Sequence, residues 1–297
     1  IGLAFYPTDG TEPKTLLQNA DTAMYHAKSA GKDNYQFYTS AMNAKAKERL
    51  DLENSLHQAV NNMQFELYYQ PILSAETGEP TAVEALVRWI HPEKGIILPG
   101  EFIAIAEESG LIKPLGNWVL RQACQQWVDW KKAGEPVPRI AINVSAKQFT
   151  DGFIVQTLKD IFSHLEIPSG AIEIELTESA LMQDYQFTCE VLEEMKRMGV
   201  SISIDDFGTG YSSLNHLKRF PVDNLKVDRS FIEGLPGHED QRIVQAIVAL
   251  AKSLNLKVIA EGVENPLQLE FIQNIGCDEV QGFLLSQPMQ AQQVSFG

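Results

Sequence analysis

The sequence predicts an α/β fold: an imperfect (β/α)8 barrel of the TIM type with an antiparallel first strand, preceded by a short α/β N-terminal fragment. Three observations carry that prediction. From about Phe65 onward, eight short β-rich runs alternate with longer segments of helical periodicity, as in folds where strands and helices take turns along the chain. Eight strands over about 230 residues, most followed by a helix, suit a closed barrel better than an open sheet. The first two runs are separated only by SAETGEP, and seven residues are too few for a parallel crossover, so these two strands should be antiparallel neighbours.

In chain order the runs are 65–73 (FELYYQPIL), 81–88 (TAVEALVR), 139–144 (RIAINV), 171–176 (AIEIEL), 200–205 (VSISID), 222–227 (VDNLKV), 256–260 (LKVIA) and 278–284 (DEVQGFL). Helical candidates lie between them at 114–133, 152–164, 186–198, 239–254 and 265–274, with Gly199 and Gly276 placed where helices end. The first 40 residues read differently. IGLAFYP suits a strand, PKTLLQNADTAMYHAKSAG a helix ending at Gly31, and NYQFY a second strand. Residues 41–62 read as a connector helix, with Leu50, Leu52, Leu56 and Val60 apolar among charged and amide neighbours. A solvated connector and a coiled dimer stalk both fit, because two heptads do not decide. The expected division is therefore 1–40 fragment, 41–62 connector helix and 63–297 barrel.

Composition narrows the function. The 297 residues carry a formal charge of -15, which argues against non-specific binding of duplex nucleic acid, since that relies on many Lys and Arg neutralising phosphates. No apolar run approaches the roughly 20 residues that span a bilayer. Cys124, Cys189 and Cys277 are odd in number, widely spaced and without a CxxC pair, which fits neither a disulfide framework nor a zinc cage and suits a reducing cytoplasm. The chain begins at Ile1 with no charged leader before an apolar stretch, so no secretory signal is visible. An upstream sensor or membrane domain stays open.

Strands buried on both sides should be almost wholly apolar, so ionisable residues at their ends need a reason. Here they recur: Glu84, Asn143, Glu175, the adjacent Asp205 and Asp206, Lys226 with Asp228, Glu261, and Gln281. In a (β/α)8 barrel the C-terminal strand ends converge on one mouth. Singly, each residue has a plainer reading: an Asp after a strand caps a helix, an Asn caps a turn, a lone Lys snorkels. Jointly, four or five carboxylates in one mouth would repel one another and lose solvation. Divalent cations resolve that. Carboxylates with an Asn carbonyl are hard oxygen donors, and none of the six histidines lies in these runs, which favours Mg²⁺ or Mn²⁺ over Zn²⁺. Neighbouring Asp205 and Asp206, at the frayed end of a strand, suit a two-metal site, and such sites cut phosphodiesters by in-line attack of an activated water.

The motifs carry a resemblance. VEALVRW at 83–89, followed in order by INVS, ELTES, DDFGTGYSSL, LKVD, AEGVE and VQGF, resembles the EAL family of cyclic di-GMP phosphodiesterases over some 230 residues. The resemblance implies an imperfect (β/α)8 barrel with an antiparallel first strand, and metal-dependent hydrolysis of cyclic di-GMP to linear pGpG. It implies dependence on Mg²⁺ or Mn²⁺ and a homodimer; Ca²⁺ should inhibit, since a larger ion with looser geometry would misplace the water. By position, Glu84, Asn143, Glu175 and Asp205 resemble the ligands of one metal, with Asp205 and Asp206 serving the second. Glu261 resembles either the general base or a second-metal ligand, and Lys226 the residue that holds the attacking water. Gln70, Leu86, Arg88 and Asp228 resemble nucleotide contacts. Gln281 is a candidate at the edge of the metal and substrate sites, and Glu178 resembles the anchor of the DFGTGYSSL loop, read as either a plain turn or a mobile lid. The first 38 residues or so resemble the end of a GGDEF domain without its catalytic loop. Two other readings stand beside the phosphodiesterase. One is a slow or inactive cyclic di-GMP receptor signalling through a partner; the other is an unrelated barrel enzyme such as a metal-dependent aldolase, for which Lys226 is thin support.

Overall fold

A computed structural model describes residues 1–29, 33–150, 152–182, 184–209 and 214–296. The chain divides into two units, Ile1–Met63 and Gln64–Gly297. In the first, β1 (Gly2–Leu3) and β2 (Gln36–Phe37) pair in parallel, joined through a helix over Pro13–Ser29. The expected helix end at Gly31 lies outside the described residues. Both strands are shorter than the apolar runs suggest, because a two-stranded ladder leaves most of each run without a partner. The helix at Ser40–Asn61 is not solvated all round: Leu52, Leu56 and Ala59 are buried, whereas Leu50 is exposed.

The second unit opens with a hairpin, β3 (Phe65–Ser74) and β4 (Pro80–His91), antiparallel in the register Gln70 opposite Glu84. A three-residue strand, β5 (Gly95–Ile97), folds back on β4. There follow β6 (Ile140–Val144), β7 (Ile172–Thr177), β8 (Ser201–Phe207), β9 (Asn224–Val227), β10 (Lys257–Ala260) and β11 (Glu279–Val280), each parallel to the one before, with β6 parallel to β4. Ladder β11–β3, antiparallel, closes the ring, and β12 (Met289–Gln290) caps β3 from outside. The barrel therefore has eight strands, and β3 alone runs against the rest.

The expected helices appear at Ile112–Lys132, Phe153–His164, Tyr185–Arg197, His238–Ser253 and Pro266–Asn274. Gly199 and Gly276 follow two of them with φ of 82° and 75°, the left-handed conformation that ends a helix without strain. A further helix, Pro99–Ser109, was not anticipated. β11 is two residues where the run 278–284 suggested seven, because after Val280 the chain turns out of the ladder to form the rim. No helix among the described residues is long and apolar enough to cross a membrane.

Inside the barrel the apolar layer of Ile72, Ala82 and Ile259 is buried. Toward the strand N-termini lies a polar plug. Arg139 pairs with Glu173 and Glu279, and the Ser203 hydroxyl donates to Glu173. Glu173 stands two residues before Glu175 and so shares its inward face. Expecting polar residues only at the strand ends missed this layer.

Candidate active site at the barrel mouth

Strand alternation turns Glu84, Glu175, Asp205 and Lys226 toward the barrel interior from four strands, and Glu261 and Gln281 join them just beyond β10 and β11. Lys226, fully buried, is the hub. Its Nζ lies 2.6 Å from Glu261 Oε1, 2.7 Å from Glu175 Oε1, 3.5 Å from Asp205 Oδ1 and 4.0 Å from Glu84 Oε1. These are ion pairs by distance but not aligned hydrogen bonds: the ammonium and both Glu175 oxygens are buried without a hydrogen-bond partner.

Glu84 is the best satisfied of the acids. Asn143 Nδ2 donates to its Oε1 at 2.6 Å and Gln281 Nε2 to its Oε2 at 2.6 Å. Gln281 Nε2 also donates to Gln70 Oε1 at 3.0 Å, and Gln70 Nε2 donates to the Ser286 carbonyl at 2.9 Å. This chain of amides ties the antiparallel strand β3 to the acidic mouth.

Asp205 and Asp206 would point to opposite faces of a regular strand. The β8–β9 register slips between Ile204 and Phe207, and Asp206 takes a φ of 54°. That irregularity breaks the alternation, and carboxylate oxygens of Asp205, Asp206 and Glu261 all lie within 4.8 Å of one another. The Asp206 N–H donates to Asp205 Oδ1 at 3.0 Å, holding the bend.

Protonation follows from this crowding. Burial would raise the Glu84 pKa, but Lys226 with the Gln281 and Asn143 donors outweighs it and holds the group below the ordinary carboxylate value. Glu175 is pushed well above its ordinary value, by burial first and then by Glu84, Asp205 and Glu173, which Lys226 does not offset. Glu261 is raised to about 8 by burial, with Asp205 and Glu84 adding to it. Asp206 rises to about 6 through burial and the nearby Asp205 and Asp228. For Lys226, burial works against the charged form, yet Asp205, Glu175, Glu261 and Glu84 hold it well above its ordinary value.

Five carboxylates around one ammonium amount to four uncompensated negative charges when all are ionised. The donor set is all oxygen apart from the amides, and two of its buried oxygens, on Glu175, are orphaned. Those features fit hard divalent cations, with Asp205, Asp206 and Glu261 closest to a ready-made ligand group.

Beside the acids opens a cleft of about 270 Å³, lined by Gln70, Glu84, Leu86, Arg88, Glu261 and Gln281 among the residues read from the sequence. Arg88 is buried, donates from Nη1 to the Val87 carbonyl at 3.0 Å and sits 5.5 Å from the centre of the Tyr68 ring. Arg229, Gly262, Glu264, Phe283 and Pro288 line the cleft too. Sequence reasoning did not name Arg229, Glu264 and Phe283, although each stands one to three residues from a named residue in the runs LKVDRSF, AEGVE and VQGF. Asp228 does not line the cleft; it caps the short helix Arg229–Glu233, accepting from the Ser230 N–H at 3.0 Å. Glu178 is buried and accepts the Gly208 N–H at 3.2 Å. The continuation of that loop, Gly210 to Ser213, lies outside the described residues.

Residues 53–288 match the model of the EAL domain. The chain is 47% identical over 295 residues to the bifunctional diguanylate cyclase/cyclic di-GMP phosphodiesterase MucR of Pseudomonas aeruginosa, spanning 99% of this chain and 43% of that protein. It is 41% identical over 292 residues to the cyclic di-GMP phosphodiesterase PdeR of Escherichia coli, spanning 98% of this chain and 44% of that protein. Among solved structures, the PaMucR phosphodiesterase in complex with c-di-GMP matches with a TM-score of 0.79 at 46% identity, covering 82% of this chain and 99% of that one. The chain spans less than half the length of these curated relatives. The extent of the family match, the identity across nearly every residue and the shared barrel lead to one conclusion: the chain belongs to the EAL domain family.

Proposed function

We propose that this chain hydrolyses cyclic di-GMP to linear pGpG, using Mg²⁺ or Mn²⁺ held among the mouth carboxylates. The observation that carries the reading is the gathering of Glu84, Glu175, Asp205 and Glu261 around the single buried Lys226, with the Glu175 oxygens unsatisfied. The activities named for MucR and PdeR and the ligand named for PaMucR support the same substrate.

Glu84, Asn143, Glu175 and Asp205 would hold one cation, and Asp205, Asp206 and Glu261 a second. When bound, the cations supply the positive charge that acidifies an attacking water and stabilises the departing oxygen. The water oxygen bonds to phosphorus as one P–O3′ bond breaks, which leaves a 5′-phosphate at one end and a 3′-hydroxyl at the other. Glu261, 18% exposed at the cleft, serves in one of two roles, as a ligand of the second cation or as the base that takes the proton the water gives up. Lys226 fixes the acids in one geometry and adds positive charge beside the attacking oxygen. Gln70, Leu86, Arg88 and Gln281 form the nucleotide wall, Arg88 presenting its fork of donors to a phosphate. Asp228 stands beside Asp206 at the mouth, and Glu178 anchors the loop after β8.

Residues 1–40 we read as the C-terminal remnant of a GGDEF-like domain, 41–62 as the connector helix and 63–297 as the barrel. In this reading the unit works as a homodimer in the cytoplasm. Chromatography after incubation with cyclic di-GMP tests the reaction: pGpG should form with Mg²⁺ or Mn²⁺ and not with EDTA, and Ca²⁺ should suppress turnover because its looser geometry misplaces the water. Tight binding of the dinucleotide without pGpG under any cation would mark a receptor and overturn the enzyme reading.

A further inference from the structure

The wall of the cleft carries a guanidinium besides Arg88. Arg229 begins the short helix Arg229–Glu233, immediately after the Asp228 cap, and lines the same cleft as Arg88, Glu261 and Phe283. Its Nε lies 2.6 Å from Glu233 Oε1 and its Nη2 lies 2.9 Å from Glu264 Oε1. Nη1 has no partner among the described residues. Exposed pairs of this kind contribute little stability, and the Arg229 side chain is 51% exposed, so structural support does not account for the arrangement.

The backbone is shaped around this side chain. Gly262 takes a φ of 71°, and a Cβ there would lie 2.4 Å from Arg229 Cγ and 2.9 Å from Arg229 Cβ. Only glycine serves both the left-handed conformation and that close approach. The stem of Arg229 thus rests on a residue stripped to its backbone, while two carboxylates fix its head and leave one amino group free.

Charge gives the arrangement a use. With two divalent cations the five ionised carboxylates and Lys226 sum to zero, so the mouth leaves no net positive charge over for a phosphodiester on the wall. A cyclic dinucleotide brings another phosphodiester, which needs hydrogen-bond donors of its own on the wall, and Arg229 Nη1 supplies them although Glu233 and Glu264 already balance its charge. We infer that Arg229 binds the phosphate of the cyclic dinucleotide that is not being cut, with Glu233 and Glu264 orienting its guanidinium. The inference rests on the substrate proposed above and adds a determinant that selects ligands carrying two phosphodiesters.

The test compares wild type, Arg229→Gln and Arg229→Lys by titration calorimetry in Ca²⁺, using cyclic di-GMP and an analogue with one neutral methylphosphonate linkage. Loss of a charge-assisted contact to phosphate should weaken binding of cyclic di-GMP to Arg229→Gln by about tenfold. Arg229→Lys should recover part of that loss. Wild type should bind the neutral analogue about tenfold more weakly than cyclic di-GMP, and Arg229→Gln should lose no more than about twofold. In Mg²⁺, KM should rise with the dissociation constant while kcat stays within about twofold. An unchanged urea midpoint confirms that the variants fold. Equal affinity of wild type and Arg229→Gln for cyclic di-GMP, or equal discrimination against the analogue, overturns the inference. Binding without pGpG in Mg²⁺ removes the phosphodiesterase reading and leaves the calorimetry to judge Arg229; no binding by wild type overturns both.

Discussion

At the scale of single residues, the mouth is a problem of excess negative charge, and its solution depends on pH. Glu261 titrates near 8 against an ordinary 4.5, and Asp206 near 6 against 3.8. Below the ordinary values both states hold these protons. As pH rises, the unfolded chain releases them first, so the folded state binds more protons and the stability they contribute is lost through pH 6 and then pH 8. The Glu84 shift runs the other way but acts at pH below its ordinary value of 4.5, and Lys226 acts above 10.5. In EDTA the urea midpoint should therefore fall between pH 5.5 and 8.5, and Mg²⁺ should restore it most at the higher pH, because cations bind the ionised form. A midpoint in EDTA that rises over that interval would contradict the assignment. The acids themselves were legible in the sequence because charge inside a strand demands a partner. Arg229 and Glu264 were not, since a charged residue just past a strand is usually a solvated one, and only the fold shows that both face the cleft.

At the scale of elements, two irregularities matter. The register slip in β8 and the positive φ of Asp206 bring adjacent carboxylates to one side. Asn tolerates that conformation and Val does not. Asp206→Asn removes a carboxylate whose ionised form the fold disfavours, so in EDTA at pH 7 it should be at least as stable as wild type while binding Mn²⁺ more weakly, whereas Asp206→Val should be about 1–2 kcal/mol less stable than Asp206→Asn; equal urea midpoints for the two would show that the backbone is not constrained there. The other irregularity is the plug of Arg139, Glu173 and Glu279 below the apolar layer. Arg139→Met leaves two buried carboxylates without their cation and should cost about 3–5 kcal/mol in urea unfolding; a loss under about 1 kcal/mol would mean the plug is hydrated or protonated. The β3–β4 hairpin was legible from a seven-residue gap. Strands β5 and β12, of three and two residues, were not, because so short a stretch has no period to read.

At the scale of the molecule, the alternation of eight β-rich runs with helices was enough to predict closure, and the structure adds how the ring closes. Strand β3 enters against its neighbours, pairs with β4 and β11, and delivers Gln70 to the amide chain that reaches Glu84 through Gln281. The barrel is thus closed by the strand that also supplies part of the cleft. The chain divides into the units Ile1–Met63 and Gln64–Gly297. What the strand pattern could not convey is how the mouth tolerates its charge in the protein alone: Lys226 occupies the centre, and Glu175 and Glu261 are driven toward their neutral forms. The most direct check is anomalous diffraction from crystals soaked in Mn²⁺. Two peaks should appear, one among Glu84, Asn143, Glu175 and Asp205 and the other among Asp205, Asp206 and Glu261. Density without either peak, with Lys226 still paired to Glu175 and Glu261, would contradict a cation-filled mouth.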